Sequence, residues 1–250
     1  MSLARRHRER MLGQLAATQA AEPATKRAGA AATEYELQRA RLGVDLRRLK
    51  ELQSIERKIE LKRELLPGYE PWVAGVLDAD VGAEDDILTH VMIWRIDTGD
   101  YAGAMPLARH VLRHNLTLPE RFDRTAPTLI AEEIADAALK SFGQDRPFDH
   151  QLLLEVEDLV EPHDIFDQVR AKLEKAIGIA FIGLAETIDP AADGPAGQKR
   201  GAQERALGHL RRAVELDDTV GVKKRIEQLE RATRPPVDAA PPAPPASTES

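Results

Sequence analysis

The chain has no cysteine, so disulfides, Cys-ligated zinc and a thiol nucleophile are all excluded, and a reducing compartment is expected. Aromatic residues are scarce, with 5 Phe, 3 Tyr and 2 Trp among 250 residues. That is little for a large β-sheet core, whereas the aliphatic content, mostly Ala and Leu, suits packed helices. No run approaches the roughly 18 apolar residues of a membrane span, and the basic start MSLARRHRERMLGQ lacks the apolar stretch of a secretion signal. No membrane contact is expected, and the expected location is cytoplasmic. Also missing is a GxxxxGK[ST] phosphate loop; the glycines of Gly194–Gly201, GPAGQKRG, read as a connector.

Charge is present in abundance and unevenly placed. The net charge is -7, yet residues 1–63 hold 15 Lys+Arg against 8 Asp+Glu, leaving 20 against 34 in the remainder. An anionic partner should therefore meet the front of the chain. Arg5, Arg6, Arg8 and Arg10 precede Met11, Leu12 and Leu15, a pattern that predicts a short amphipathic helix carrying a basic cluster. Lys26 and Arg27 follow in a Pro/Gly/Ala stretch read as a linker, so residues 1–33 are expected to be a flexible basic arm. These six cations are the candidate DNA-binding residues.

From Glu34 to Leu65 apolar residues recur every three or four positions, and Thr33 with Glu36 reads as a capping box. One coiled-coil-like helix over residues 34–66 is expected, self-associating through Leu42, Leu46, Leu49, Leu52, Ile55 and Ile59. Pro67-Gly68 ends it. Residues 67–233 then read as an all-α body, with helices at Trp72–Leu77, Glu84–Asp97, Tyr101–His114, Thr128–Phe142, Asp149–Val160, Ile165–Thr187, Gly201–Leu216 and Thr219–Ala232. Within it, Glu204–Asp217 has the small-and-large alternation of the second helix of a tetratricopeptide hairpin, with Ala171–Ala185 as the first. Residues 234–250, RPPVDAAPPAPPASTES, read as a disordered Pro/Ala-rich tail.

Carboxylates that hold Mg²⁺ would be the minimum for cutting DNA. Asp85 and Asp86, and separately Glu132 and Glu133, are the candidates, set against their ordinary uses as first-turn acids and a solvated helix face. His110 and His114 stand four apart, but no third ligand lies near them in sequence, so they read as packing histidines and no metal site is expected. Trp72 and Trp94 read as core, and Asp97–Asp100 as an interhelical turn.

The most individual segments are Arg63–Leu77, RELLPGYEPWVAGVL, and Asp85–Asp100, DDILTHVMIWRIDTGD, followed by Ala102–Arg109, Glu132-Glu133 and Leu210–Glu230 with its Gly221-Val-Lys-Lys224. Together they resemble the small terminase subunit of Peduovirus-type tailed phages. The resemblance implies recognition of the cohesive-end site on double-stranded viral DNA, cooperation with a large ATPase subunit, assembly into a homo-oligomer such as a ring, and directing or performing the endonucleolytic cut, with Mg²⁺ as cofactor if the chain cuts. The competing reading is a non-enzymatic helical-repeat scaffold or adaptor with no DNA role.

Overall fold

In the computed structural model, residues 2–20, 30–188 and 197–234 are described. Among them there are eleven α-helices and no strand. The expected all-α class is therefore correct. Lys26, Arg27, most of the linker and nearly all of the Pro/Ala tail lie outside the described residues.

The first half of the body is built around α5 (Asp86–Thr98). Its residues Ile87 through Ile96 are buried on every side, as the nearly unbroken apolar sequence ILTHVMIW requires, and a helix apolar all round must be enclosed by others. Its ends are sharply defined. Asp85 accepts hydrogen bonds from the backbone N–H groups of Ile87 and Leu88, and Gly99 closes the helix with φ +78°, a left-handed geometry suited to glycine. Asp100 then caps α6 (Tyr101–Arg113) through the Gly103 N–H. Trp72 and Trp94 are 1% and 0% exposed, confirming both as core.

The enclosing helices are α2 (Ala30–Glu51), α3 (Ile55–Leu65), α4 (Glu70–Ala79), α6 and α7 (Ala126–Phe142). The single long helix expected over residues 34–66 is thus two helices. Ser54 breaks it: the residue is extended (φ -69°, ψ 129°), its hydroxyl accepts the Arg57 N–H, and Glu56 sits in the new first turn. The signal was present in the sequence but hidden beneath a continuing apolar period. Thr33 is not a cap either, because α2 begins three residues before it.

This bend folds the stripe back onto the chain itself. Leu42 and Leu49 are 2% and 6% exposed in the common core, and Leu46 packs against that core. Each fully buried leucine stabilises the fold by roughly 1.5–3 kcal/mol, so neither Leu42 nor Leu49 is free to bind a second copy. Leu52 and Ile59 are half-buried, and Ile55, at 75% exposure, is the member of the predicted seam that stays open. Polar groups fix the same arrangement: the Tyr69 hydroxyl donates to Asp45 at 2.7 Å, and Arg41 donates to the Gly68 carbonyl at 2.9 Å while its guanidinium covers the Tyr69 ring.

The front arm is also more ordered than its composition implies. Helix α1 (Leu3–Ala20) lies across α4, and the crossing is built from two glycines. A Cβ at Gly75 would stand 2.0 Å from the Arg10 carbonyl oxygen, and one at Gly13 would stand 2.6 Å from that of Trp72. Backbones approach this closely because neither position carries a side chain. Arg10 pairs with Asp78 at 2.5 Å beside the crossing.

The second half is organised on α9 (Asp167–Thr187), flanked by α7, α8 (His150–Val160) and α10 (Gln198–Leu216), with α11 (Lys223–Thr233) against α10. Helices α9 and α10 form the expected hairpin, in which Gly178 accommodates Leu210 and the Ala206 carbonyl. Its helices have 21 and 19 residues, whereas α5 and α6 have 13 each, so no common repeat period supports a tetratricopeptide array.

One polar cluster ties α8, α9 and α10 together. His209 Nδ1 is 2.8 Å from Glu174 and 3.5 Å from Glu157, and its ring stacks on Phe181. Burial pulls the imidazole down, but the Glu174 hydrogen bond and the charges of Glu157 and Glu174 outweigh it and raise the group above its ordinary 6.5. The stabilisation is present below pH 6.5 and is lost as pH rises through the higher folded-state value. Thermal midpoints are therefore expected to fall as pH is raised from 6.5, and His209→Gln should flatten that slope in a pH series of melts. An unchanged slope in His209→Gln would assign the pH dependence to other groups.

Candidate nucleic-acid interface

Two groups stand out among the cations of the first three helices. On α1, Arg5 is held by Glu9 at 2.8 Å and Arg10 by Asp78, while Arg6 and Arg8 are exposed with no ion pair among the described residues. The second group lines the corner made by the Ser54 break. There Arg47 and Lys50 of α2 face Lys58 and Lys62 of α3 across a recess of about 450 Å³, which Arg121, Leu46, Leu49 and Trp94 complete. Lys62 is paired with Asp97, but Arg47, Lys50 and Lys58 have no ion pair among the described residues. Burial pulls the Arg121 guanidinium down from its ordinary value, partly offset by Asp97. The buried indole N–H of Trp94 has no acceptor among the described residues. A recess so lined repels metal ions and favours an anion, with phosphate the matching chemistry.

This corner was missed in the sequence because its residues belong to two helices that had been read as one. On a single straight helix Lys50 and Lys58 would stand about 12 Å apart along the axis. The charge excess of residues 1–63 was the available signal.

Three of the four acids proposed for cutting are otherwise engaged. Asp85 is buried, and besides capping α5 it accepts the Trp72 indole N–H at 2.9 Å. Burial drives its carboxyl upward, against the pull of those three donors. Asp86 pairs with Arg39 at 2.9 Å. Glu132 sits between Arg124 and Lys172. Glu133 is pushed upward by burial and by the charges of Asp97 and Asp136. None of the four belongs to a group of three potential metal ligands among the described residues. The groups that do converge are Asp80–His110–His114 and Glu157–Glu174–His209.

The described residues thus form a helical body with a cation-lined recess between α2 and α3. The family described as phage small terminase subunit matches residues 39–168. The chain is 41% identical over 242 residues to the terminase, endonuclease subunit of Escherichia phage P2, an alignment covering 97% of this chain and 90% of that protein. It is 26% identical over 184 residues to the probable terminase, endonuclease subunit of Haemophilus phage HP1 (strain HP1c1), covering 68% and 60%. No solved structure matches. The chain belongs to the phage small terminase subunit family, and its role is in phage DNA packaging. No helix among the described residues is long and apolar enough to cross a membrane.

Proposed function

We propose that the chain recognises the cohesive-end site on viral double-stranded DNA in the host cytoplasm, delivers it to a large ATPase subunit, and directs the endonucleolytic cut. The observation that carries this reading is the pairing of an arginine-bearing helix docked on the body with a separate cation-lined corner, which gives two anchor points for one polyanion. Directing is favoured over performing because Asp85, Asp86 and Glu132 are each tied to a structural partner. Mg²⁺ belongs to the alternative, in which this chain itself cuts.

Self-association, as a ring or a smaller oligomer, would multiply weak contacts into avidity. We place it on the outer face of α2, where Leu37 and Val44, two turns apart, are 60% and 47% exposed, together with Ile55 on α3.

Each phosphate contact contributes about 0.9 to the slope of log affinity against log salt. Arg6→Gln with Arg8→Gln is expected to lower that slope by about 2 per bound chain, and Arg47→Gln, Lys50→Gln and Lys58→Gln together by about 3. Fluorescence anisotropy on cohesive-end DNA, with light scattering on the same samples, measures both slope and subunit number. Unchanged slopes in both variants would place the DNA contacts on other residues, no binding by the wild type would leave a helical scaffold without a DNA role, and a monomer at micromolar concentration would remove the avidity argument.

A further inference from the structure

His110 and His114 stand one turn apart near the end of α6, and the fold brings Asp80, from the left-handed C-cap of α4, against both of them. The Asp80 Oδ1 atom lies 3.3 Å from His110 Nδ1 and 3.2 Å from His114 Nε2, and all three atoms are within 4.8 Å of one another. A strong imidazole–carboxylate hydrogen bond is shorter; His209 and Glu174 in this same protein make one at 2.8 Å. Two ligands held 2.0–2.1 Å from a tetrahedral zinc ion stand about 3.3–3.4 Å apart. The Asp80 separations match that edge.

The surroundings fit as well. Arg113 Nη1 donates to both carboxylate oxygens of Asp80, at 2.9 Å to Oδ2 and 3.1 Å to Oδ1, which fixes the carboxylate's orientation beside the histidines. Asp80 adopts φ 45°, ψ 46°, a conformation disfavoured for a residue with a Cβ, where glycine would serve a helix end better. The side chain justifies its presence. Gly82 makes room for the His114 ring, since a Cβ there would stand 3.0 Å from Nδ1. His110 is 3% exposed. His114 is partly open to solvent, which leaves a fourth position for water.

We propose that Asp80, His110 and His114 bind a divalent transition-metal ion of the zinc type, in a three-ligand site that pins the end of α4 to the end of α6. Two imidazole nitrogens and one carboxylate oxygen select zinc-like ions over Mg²⁺ and Ca²⁺, which prefer all-oxygen shells. The site is separate from the cation-lined corner and independent of the DNA reading.

The full-length chain, freed of metal by chelator and dialysed, is titrated with Zn²⁺ by calorimetry and with Co²⁺ by visible absorption. One equivalent should bind, Co²⁺ should give the intense bands of a tetrahedral site, and the thermal midpoint should rise with added Zn²⁺. His114→Gln is expected to weaken binding by about 100-fold or more. Asp80→Gly should do the same while keeping the fold, because glycine relieves the left-handed backbone. The proposal is overturned if the folded wild-type chain takes up no metal, or if both variants bind as tightly as wild type, which would put the ion elsewhere.

Discussion

Asp85→Ala is expected to lower the thermal midpoint by about 6–12 °C. The substitution removes the cap of α5, worth about 1 kcal/mol, and strands the Trp72 indole N–H in the core, which costs a further 1–3 kcal/mol. About 3 kcal/mol in a chain of this size corresponds to that shift. Asp85→Asn keeps an acceptor at the same place and should lose less. Circular dichroism melts check the ranking. A catalytic Asp85 predicts the reverse: Asp85→Ala would melt like the wild type, and Mg²⁺-dependent nicking of cohesive-end DNA by the purified chain would disappear with it.

The second large effect is expected from Gly75→Ala. In isolation alanine strengthens a helix by nearly 1 kcal/mol relative to glycine, so α4 itself gains. Its Cβ, however, would lie 2.0 Å from the Arg10 carbonyl and 2.7 Å from the Gln14 nitrogen, both backbone atoms that cannot rotate away. Overpacking of this kind costs typically 1–3 kcal/mol, and α1 can escape it by leaving α4. Trypsin should then cleave rapidly after Arg5, Arg6, Arg8 and Arg10, sites that a docked helix protects. DNA affinity should fall while its salt dependence largely persists, because the charges remain but are no longer held in place. Unaltered cleavage would mean that α1 does not rest on Gly75.

How much of this was readable beforehand depends on the distance over which each feature is decided. The helices of the body were legible because their signals are local: Asp85 and Gly99 bracket α5, Asp100 opens α6, and Pro71 stands in the first turn of α4. The destination of a stripe is not local. Leu42 and Leu49 show the same period whether they meet another copy or fold back on Trp72 and its neighbours, and what decided it was one serine at position 54. The candidate sites follow the same rule. Asp85 is a plausible metal ligand until the Trp72 N–H is found on it. Asp80 lies 30 residues from His110, too far in sequence to be recognised as a neighbour. The docking of α1 was hidden because Gly13 and Gly75 act through what they lack.

The bend at Ser54 also makes the affinity of the corner tunable by its angle. Arg47 and Lys50 stand on one limb and Lys58 and Lys62 on the other, so like charges crowd the inside of an elbow and push it open. A phosphate seated between the limbs reverses that force and draws them together. Salt would screen that repulsion, so the corner contributes its own dependence of stability on ionic strength, separate from any pairing with Asp97 at Lys62.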